Sequence, residues 1–424
     1  MSKVINVGLL GLGTVGRGVY KVLQNFGIVK IKKISVKNLS KKRNLSDFDE
    51  TILTEDAMSI VTDKSIDIIV EVIGGVNTAY NLVKEAIINK KHVVTANKEL
   101  IAKHGHELFE LAKENDVVIL YEAAVAGGIP IIMPFKTALC ANKIDKIAGI
   151  LNGTTNFILS KMESEGAAFD VVLKEAQELG YAEADPTGDI QGYDAAYKVA
   201  ILASLAFNKR IEQDQIYREG IDKLTPFEFK YADELGYKIK LIAMAKQYKN
   251  KFDVRVHPML VSKKHPLAHI NGVLNAIVLE GYPVGQIMFS GPGAGELPTA
   301  SSVSGDVLAL ADELQFTSRP LPMMRCKHQE HIKLMDINET VNKYYVTIVT
   351  KNVPGVIGHL GTICGNHGIN VSSIIQKEIL PDGSAMIVIL TEESLEKNMK
   401  SAIDELSSLD SIKKIYNIIR VMDI

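Results

Sequence analysis

Residues 4–16 read Val-Ile-Asn-Val-Gly-Leu-Leu-Gly-Leu-Gly-Thr-Val-Gly. An apolar strand here runs straight into Gly11-Leu12-Gly13-Thr14-Val15-Gly16, a glycine spacing that cradles a dinucleotide when it lies between a strand and a helix. Gly11 permits the tight turn, Gly13 lets backbone approach a pyrophosphate, and Gly16 lets a helix starting near Thr14 lie against the strand. The unpaired N–H groups at that helix start face the phosphates. The stretch predicts a nicotinamide or flavin site formed by Gly11, Leu12, Gly13, Thr14, Val15 and Gly16; an ordinary glycine-rich turn is the alternative.

The end of the next strand refines the cofactor. The apolar run around Ile31 to Val36 closes at Lys37-Asn38, followed by Lys41, Lys42 and Arg43, where an NAD-preferring chain usually places a carboxylate for the ribose 2′-hydroxyl. A basic cluster suits a 2′-phosphate, so Lys37 and Arg43 are assigned to NADP, with NAD accepted; a solvated basic loop is the other reading.

Outward from this motif, strands alternate with helices. Residues 66–73 form an apolar run ending at Gly74-Gly75 ahead of a helical pattern through Asn89, His92–Thr95 leads to Ala96-Asn97-Lys98 and another helix, and Val117–Tyr121 gives a further strand. Such alternation predicts an α/β fold, a Rossmann-type doubly wound parallel sheet over residues 1–130 whose ligands lie beyond the strands' carboxyl ends. Thr95 and Lys98 fall at such an end and join the cofactor set. After Pro130 an α+β substrate-binding and dimerisation domain is expected over 131–301: a strand at 144–151, a polar turn at 152–156, helices at 157–165, 170–180, 193–206 and 227–246, and strands near 252–262 and 274–288. A helix at 302–314, extending to about 320, returns to the first domain. Residues 316–340, with Pro320 and Pro322, read as a linker. From 341 to 424 the pattern is βαββαβ, a small split sheet with two helices on one face.

Bulk properties narrow the class. The 424 residues are 46% hydrophobic with a formal charge of −2, enough for substantial cores and two or three domains. The basic cluster at 37–43 is short and offset by Asp47, Asp49 and Glu50, so no nucleic-acid partner is expected. No run approaches the roughly 18 apolar residues of a membrane span, and the N-terminus goes directly into a strand, which predicts a cytoplasmic protein with no membrane partner. Cys140, Cys326 and Cys364 are far apart and lack metal-ligand spacing, consistent with a reducing compartment.

The chemistry concentrates at 180–198, Gly-Tyr-Ala-Glu-Ala-Asp-Pro-Thr-Gly-Asp-Ile-Gln-Gly-Tyr-Asp-Ala-Ala-Tyr-Lys. On a helix beginning near Gly192, Asp194 and Lys198 share a face. The apolar run Val199–Phe207 that follows implies a buried helix. A hydride leaving an alcohol carbon requires an acceptor for the hydroxyl proton, and a partly buried lysine serves; Lys198 is one candidate and Lys98 the other. Glu183 and Asp194 suit a substrate ammonium group, which points to an amino-acid alcohol. The segment Glu122-Ala-Ala-Val-Ala-Gly-Gly-Ile-Pro130 offers one carboxylate and several carbonyls, fit either for an alkali cation or for a simple change of domain. The histidines offer no transition-metal cluster.

Taken together, Gly-Leu-Gly-Thr-Val-Gly at 11–16, Val-Val-Thr-Ala-Asn-Lys-Glu-Leu at 93–100, the 122–130 segment, Asn-Gly-Thr-Thr-Asn at 152–156, and the 180–186 and 192–198 segments make the chain resemble, over essentially its whole length, the long-form homoserine dehydrogenases with a C-terminal ACT domain. The resemblance implies NAD(P)-dependent interconversion of L-homoserine and L-aspartate 4-semialdehyde, toward threonine and methionine. It places the proton-transferring lysine at Lys198, a second active-site lysine at Lys98, substrate contacts at Glu183, Asp194 and Asp189, and cofactor contacts at Gly180 and Gly295. It also implies a sodium-type ion on Glu122, Val125, Gly127 and Ile129. In the C-terminal module it implies an amino-acid effector site with Asn352, Gly355 and Asn370, threonine being the natural effector, or a module that only assists dimerisation. A homodimer or homotetramer is implied. Two other classes stay open: a thioester-forming semialdehyde dehydrogenase, for which no cysteine is convincingly placed, and a non-catalytic sensor, against which the 180–198 segment argues.

Overall fold

Ile5, Val7, Leu9 and Leu10 are fully enclosed, as expected of a strand with both faces covered. In the computed structural model, which describes residues 3–43, 48–317, 324–326, 328 and 330–422, this strand, Ile5–Leu10, lies inside a six-stranded parallel sheet. Across the sheet the strands run Leu53–Thr54, Val29–Ser35, Ile5–Leu10, Ile68–Glu71, His92–Thr95 and Ile119–Leu120, the order 3-2-1-4-5-6 by position along the chain. The order reverses between Ile5–Leu10 and Ile68–Glu71, which pair directly, and a crevice opens at such a switch point. Asp47, Pro320, Pro322 and the end of the helix expected to reach 320 lie outside the described residues.

The chain divides into two bodies, one of Met1–Ile147, Tyr197–Gln215 and Leu274–Ile332, the other of Ala148–Ala196, Ile216–Val273 and Lys333–Ile424. In the first, helix Thr14–Leu23 buries Val19, Tyr20 and Leu23 together with Val303, Val307 and Leu310 of helix Glu296–Phe316. Gly18 allows the two helices to meet, since a Cβ there would lie 2.6 Å from the Glu296 carbonyl. Where one strand was expected near 274–288, two occur: Leu274–Tyr282 and Gly285–Pro292 form an antiparallel hairpin.

The second body corrects two expectations. The helix predicted over 227–246 is only Pro226–Glu234, opened by a Thr225/Glu228 capping box, and Tyr237–Tyr248 is a strand. Gly236, at φ +84°, ends the helix, and alternation in Tyr-Lys-Ile-Lys-Leu-Ile then sets a period of two. The polar turn expected at 152–156 is the first turn of helix Gly153–Glu165, with Asn152 as its N-cap. Strand Tyr237–Tyr248 pairs antiparallel with Lys251–Ser262, which pairs in parallel with Ile412–Val421 through Met259–Arg420 and Leu260–Val421. Through that seam the sheet continues into Tyr344–Lys351, Ser384–Thr391 and Val371–Ile379 of the C-terminal module. Helices Val356–Asn366 and Glu396–Ser407 close its core on Tyr344, Val346, Ile348, Leu360 and Met399. Among the described residues no helix is long and apolar enough to cross a membrane.

Candidate active site and cofactor cleft

The three motif glycines occupy three different environments. Gly11 has φ +102° and would bring a Cβ to 2.9 Å from the Val72 carbonyl, and a Cβ on Gly16 would lie 2.1 Å from the Gly11 carbonyl. Gly13 has nothing within 4 Å of its Cβ position. Turn and packing glycines thus enclose one that opens onto empty space, a cradle for a pyrophosphate at the uncapped start of helix Thr14–Leu23. The cleft there, about 610 Å³, is lined by Arg17, Lys37, Lys41, Lys42 and Arg43 beside the glycines. Arg43 is less available than its position in sequence suggests: its guanidinium donates to the carbonyls of Asn38 (2.6 Å), Lys41 (2.9 Å) and Leu39 (3.2 Å), shaping the loop that carries the lysines.

Sequence reading missed Glu71, at the end of strand Ile68–Glu71 and fully buried. Its carboxyl accepts from Thr95 Oγ1 (2.6 Å) and the Ile73 amide (2.9 Å), and burial raises its pKa despite those bonds. Thr95 Oγ1 in turn accepts from the Asn97 amide (3.0 Å), and Asn97 Nδ2 donates to the Gly75 carbonyl (2.6 Å). Glu71 therefore ties the Ile73–Gly75 loop to the Thr95–Lys98 turn. A single glutamate inside the apolar run Ile68–Ile73, three residues ahead of Gly74-Gly75, was the available signal. Asn97 caps helix Lys98–Glu114, which fixes Lys98 at its first position. Gly295 stands at φ +118° as the residue before helix Glu296–Phe316.

In the second body, Asn152 gathers the carboxylates. Its Oδ1 accepts from the Thr155 amide (2.8 Å), which fixes the amide orientation. Its Nδ2 then donates to Asp189 (2.6 Å) and to Asp194 (2.9 Å). Asn152 and Asp194 are 6% and 8% exposed and Asp189 is partly exposed, so two acidic side chains converge on one buried amide, an arrangement suited to an ammonium group. The supporting loop is pinned by Thr154 Oγ1 to the Tyr181 carbonyl (2.6 Å) and by Gln177 Nε2 to the Glu183 carbonyl (3.1 Å). Gly180, at φ +76°, turns the chain after helix Phe169–Glu178. Glu183 is exposed. Asp194 and Lys198 lie one turn apart on helix Tyr193–Phe207, and Lys198 is only 9% exposed.

Glu122 is buried, and its carboxylate accepts from the amides of Ile131 (2.5 Å), Ile132 (2.7 Å) and Met133 (2.6 Å). Its own amide donates to Asp306 (2.8 Å), whose carboxyl burial pushes up to about 7. Ala126 and Gly127 are both left-handed, which folds the 125–129 backbone tightly, and Ser302 Oγ donates to the Gly127 carbonyl (2.7 Å). The loop offers oxygen donors only, the chemistry of a hard cation. Among the described residues no group of three or more His, Cys, Asp or Glu is placed to hold a metal ion. Of the cysteines, Cys140 is exposed, Cys364 is buried with its thiol pushed up, and Cys326 faces the Tyr121 hydroxyl at 2.9 Å. Among the described residues none has the adjacent base that a thioester nucleophile needs. In the C-terminal module Asn352, Gly355 and Asn370 are exposed, and Gly355 precedes helix Val356–Asn366 with φ +94°.

Comparison with known proteins points to one family in each part of the chain. A family described as "Homoserine dehydrogenase, NAD binding domain" matches residues 11–122, "Homoserine dehydrogenase" matches 130–308, and "ACT domain" matches 344–410. The homoserine dehydrogenase of Synechocystis sp. is 45% identical and that of Bacillus subtilis 38%, with 99% of this chain aligned in both cases, to 99% and 98% of theirs. The crystal structure of a homoserine dehydrogenase from Thiobacillus denitrificans superposes with a TM-score of 0.91 at 40% identity, covering both chains fully. A hyperthermophilic archaeal homoserine dehydrogenase, solved in complex with NADPH, is 29% identical with a TM-score of 0.63, over 74% of this chain and 99% of its own. With its dinucleotide cradle, its paired aspartates and full-length relatives of one kind, the chain belongs to the homoserine dehydrogenase family of oxidoreductases.

Proposed function

We propose that the protein interconverts L-homoserine and L-aspartate 4-semialdehyde with NADP(H), NAD(H) being accepted. The observation that carries this reading is the amide of Asn152 holding Asp189 and Asp194 together, one helical turn before a buried lysine. The aspartates, with Glu183, hold the substrate's ammonium group. Lys198 takes the hydroxyl proton during oxidation and returns it during reduction, and Lys98 assists from the start of its helix. The dinucleotide, when bound, supplies the two-electron hydride acceptor or donor. Gly11–Gly16 cradle its pyrophosphate, with Gly180 and Gly295 as further backbone contacts and Thr95 and Lys98 at a strand end. Lys37, Lys41 and Lys42 meet a 2′-phosphate, while Arg43 orders their loop. The NADPH bound by the archaeal relative supports that choice.

Glu122 and the carbonyls of Val125, Gly127 and Ile129 would hold a sodium-type ion, which would stiffen the turn between the cofactor domain and the chain that follows. The C-terminal module senses threonine through Asn352, Gly355 and Asn370, and the enzyme works in the cytoplasm as a homo-oligomer in the synthesis of threonine, methionine and isoleucine. The test is initial-rate reduction of NADP+ or NAD+ by the purified protein with L-homoserine, with no phosphate or coenzyme A present. Homoserine-dependent turnover is expected with both cofactors and faster with NADP+; a requirement for either addition, or no turnover, rejects the reading.

A further inference from the structure

The seam between strands Lys251–Ser262 and Ile412–Val421 carries a buried charge network that the reaction as described does not use. Arg420, only 3% exposed, donates through Nε to Glu396 (2.8 Å) and through Nη2 to the other Glu396 oxygen. Its remaining arm, Nη1, reaches Glu219 Oε1 at 2.9 Å. Tyr344 Oη donates to Glu396 (2.9 Å) and Tyr217 Oη donates to Glu219. Burial alone would raise the Glu396 carboxyl, but the guanidinium outweighs it and holds the group ionised. Arg255, nearby, is held by Asn342 (2.8 Å) and Asp253 (3.3 Å). His257 is kept neutral by burial and by the two guanidinium groups.

Glu219 is the outer end of this network and the inner wall of the substrate loop. Its amide donates to the Val256 carbonyl (2.9 Å), and two residues on, the Ile221 amide donates to the Ile190 carbonyl (3.0 Å). Between them Gly220 sits so close to the loop that a Cβ would lie 2.7 Å from both the Ile190 carbonyl and the Gln191 side-chain oxygen. Arg218 stacks on the Tyr193 ring at 4.2 Å. Residues 218–221 thus back the stretch 190–193, flanked on either side by Asp189 and Asp194.

We infer that Arg420 is a positioning residue for the reaction: through Glu219 it fixes the wall against which the Asp189 and Asp194 loop rests, so that substrate affinity depends on the C-terminal module even without an effector. The guanidinium suits this part because its planar fork satisfies Glu396 with two donors and leaves a third directed at Glu219. Without it, two carboxylates would face each other across the seam and Glu219 would be free to turn to water, taking the 218–221 wall with it.

The inference rests on homoserine as substrate, and its test uses the full-length enzyme. Glu219→Gln keeps the shape and an acceptor for Tyr217 but removes the charge that Arg420 holds; Arg420→Lys keeps the charge but loses the fork. Each is expected to raise the homoserine KM about tenfold, the scale of one charge-assisted hydrogen bond, with kcat and the NADP+ KM within about twofold. Because the two residues act as one unit, the double variant should be no worse than the poorer single one. Hydrogen exchange, which needs no substrate, should speed up in the peptide spanning 186–194 and stay unchanged in strand Ile5–Leu10. A homoserine KM within twofold of the parent, or unaltered exchange at 186–194 in Glu219→Gln, overturns the inference, as does an equal loss of kcat and cofactor affinity. A parent enzyme that does not oxidise homoserine overturns instead the reading on which the inference rests.

Discussion

Replacing Asn152 with Ser separates two tasks carried by one side chain. Serine is as good an N-cap as asparagine, so helix Gly153–Glu165 keeps its cap, but the shorter side chain cannot reach Asp189 and Asp194 and both donors are lost. Hydrogen bonds to charged groups contribute about 1.5 to 3 kcal/mol each. Taking the lower figure for both gives about 3 kcal/mol, or a loss of roughly 150-fold in kcat/KM for homoserine. The carboxylates, 2.6 and 2.9 Å from the amide in the parent, would also move apart under their own repulsion, which acts in the same direction. The assay is steady-state NADP+ reduction over a range of homoserine concentrations, with NADP+ binding followed by fluorescence to show that the glycine cradle is intact. If kcat/KM for homoserine stays within threefold of the parent while the cofactor binds normally, the paired aspartates are not organised by Asn152 and the proposed substrate site is misplaced.

Further outcomes follow from other parts of the molecule. Lys37→Ala and Lys41→Ala should each lower the NADP+/NAD+ preference by about tenfold, as expected for losing one phosphate contact; Arg43→Ala, which loosens the loop, should weaken NADP+ binding less. An unchanged ratio in all three would place the 2′-phosphate elsewhere. Glu71→Gln should raise the KM for both cofactors alike, because the carboxyl ties two loops at the crevice rather than touching a phosphate; a change confined to NADP+ would contradict that role. His92 accepts the Val118 amide at 3.2 Å, and burial lowers its pKa from 6.5 to about 4. The unfolded chain therefore takes up this proton first as pH falls, and the fold should lose up to about 3 kcal/mol between pH 6.5 and 4. In His92→Gln that part of the acid sensitivity should be missing from denaturant titrations; an identical pH profile would show that His92 is not held neutral.

The parts of the fold that are legible in the sequence are those fixed by neighbours along the chain. The turn at 11–16, the apolar strands ending in glycine or polar residues, and the βαββαβ order after 341 all follow from local pattern. Tyr237–Tyr248 was misread because a short amphipathic helix and an alternating strand adjoin, and only Gly236 marks the change of period. At the site, the acidic stretch and Lys198 stood out by composition. Asn152 did not, although asparagine ahead of Gly-Thr-Thr is a capping signal, because its second role needs partners 37 and 42 residues away. The Arg420–Glu219 contact spans 201 residues, and no local rule points to it. Arg43 shows the opposite case: its charge is plain in sequence, but the carbonyls to which its guanidinium donates are set by the loop's own fold.

That the buried Lys198 side chain accepts the hydroxyl proton as hydride leaves is tested most directly by single-turnover oxidation of homoserine in Lys198→Ala. With NADP+ and homoserine both saturating, reduced cofactor should form at least about a hundredfold more slowly than in the parent, with NADP+ affinity nearly unchanged. Parent-like reduction in that variant would show that the proton leaves by another route and that Lys198 is not the acid/base group.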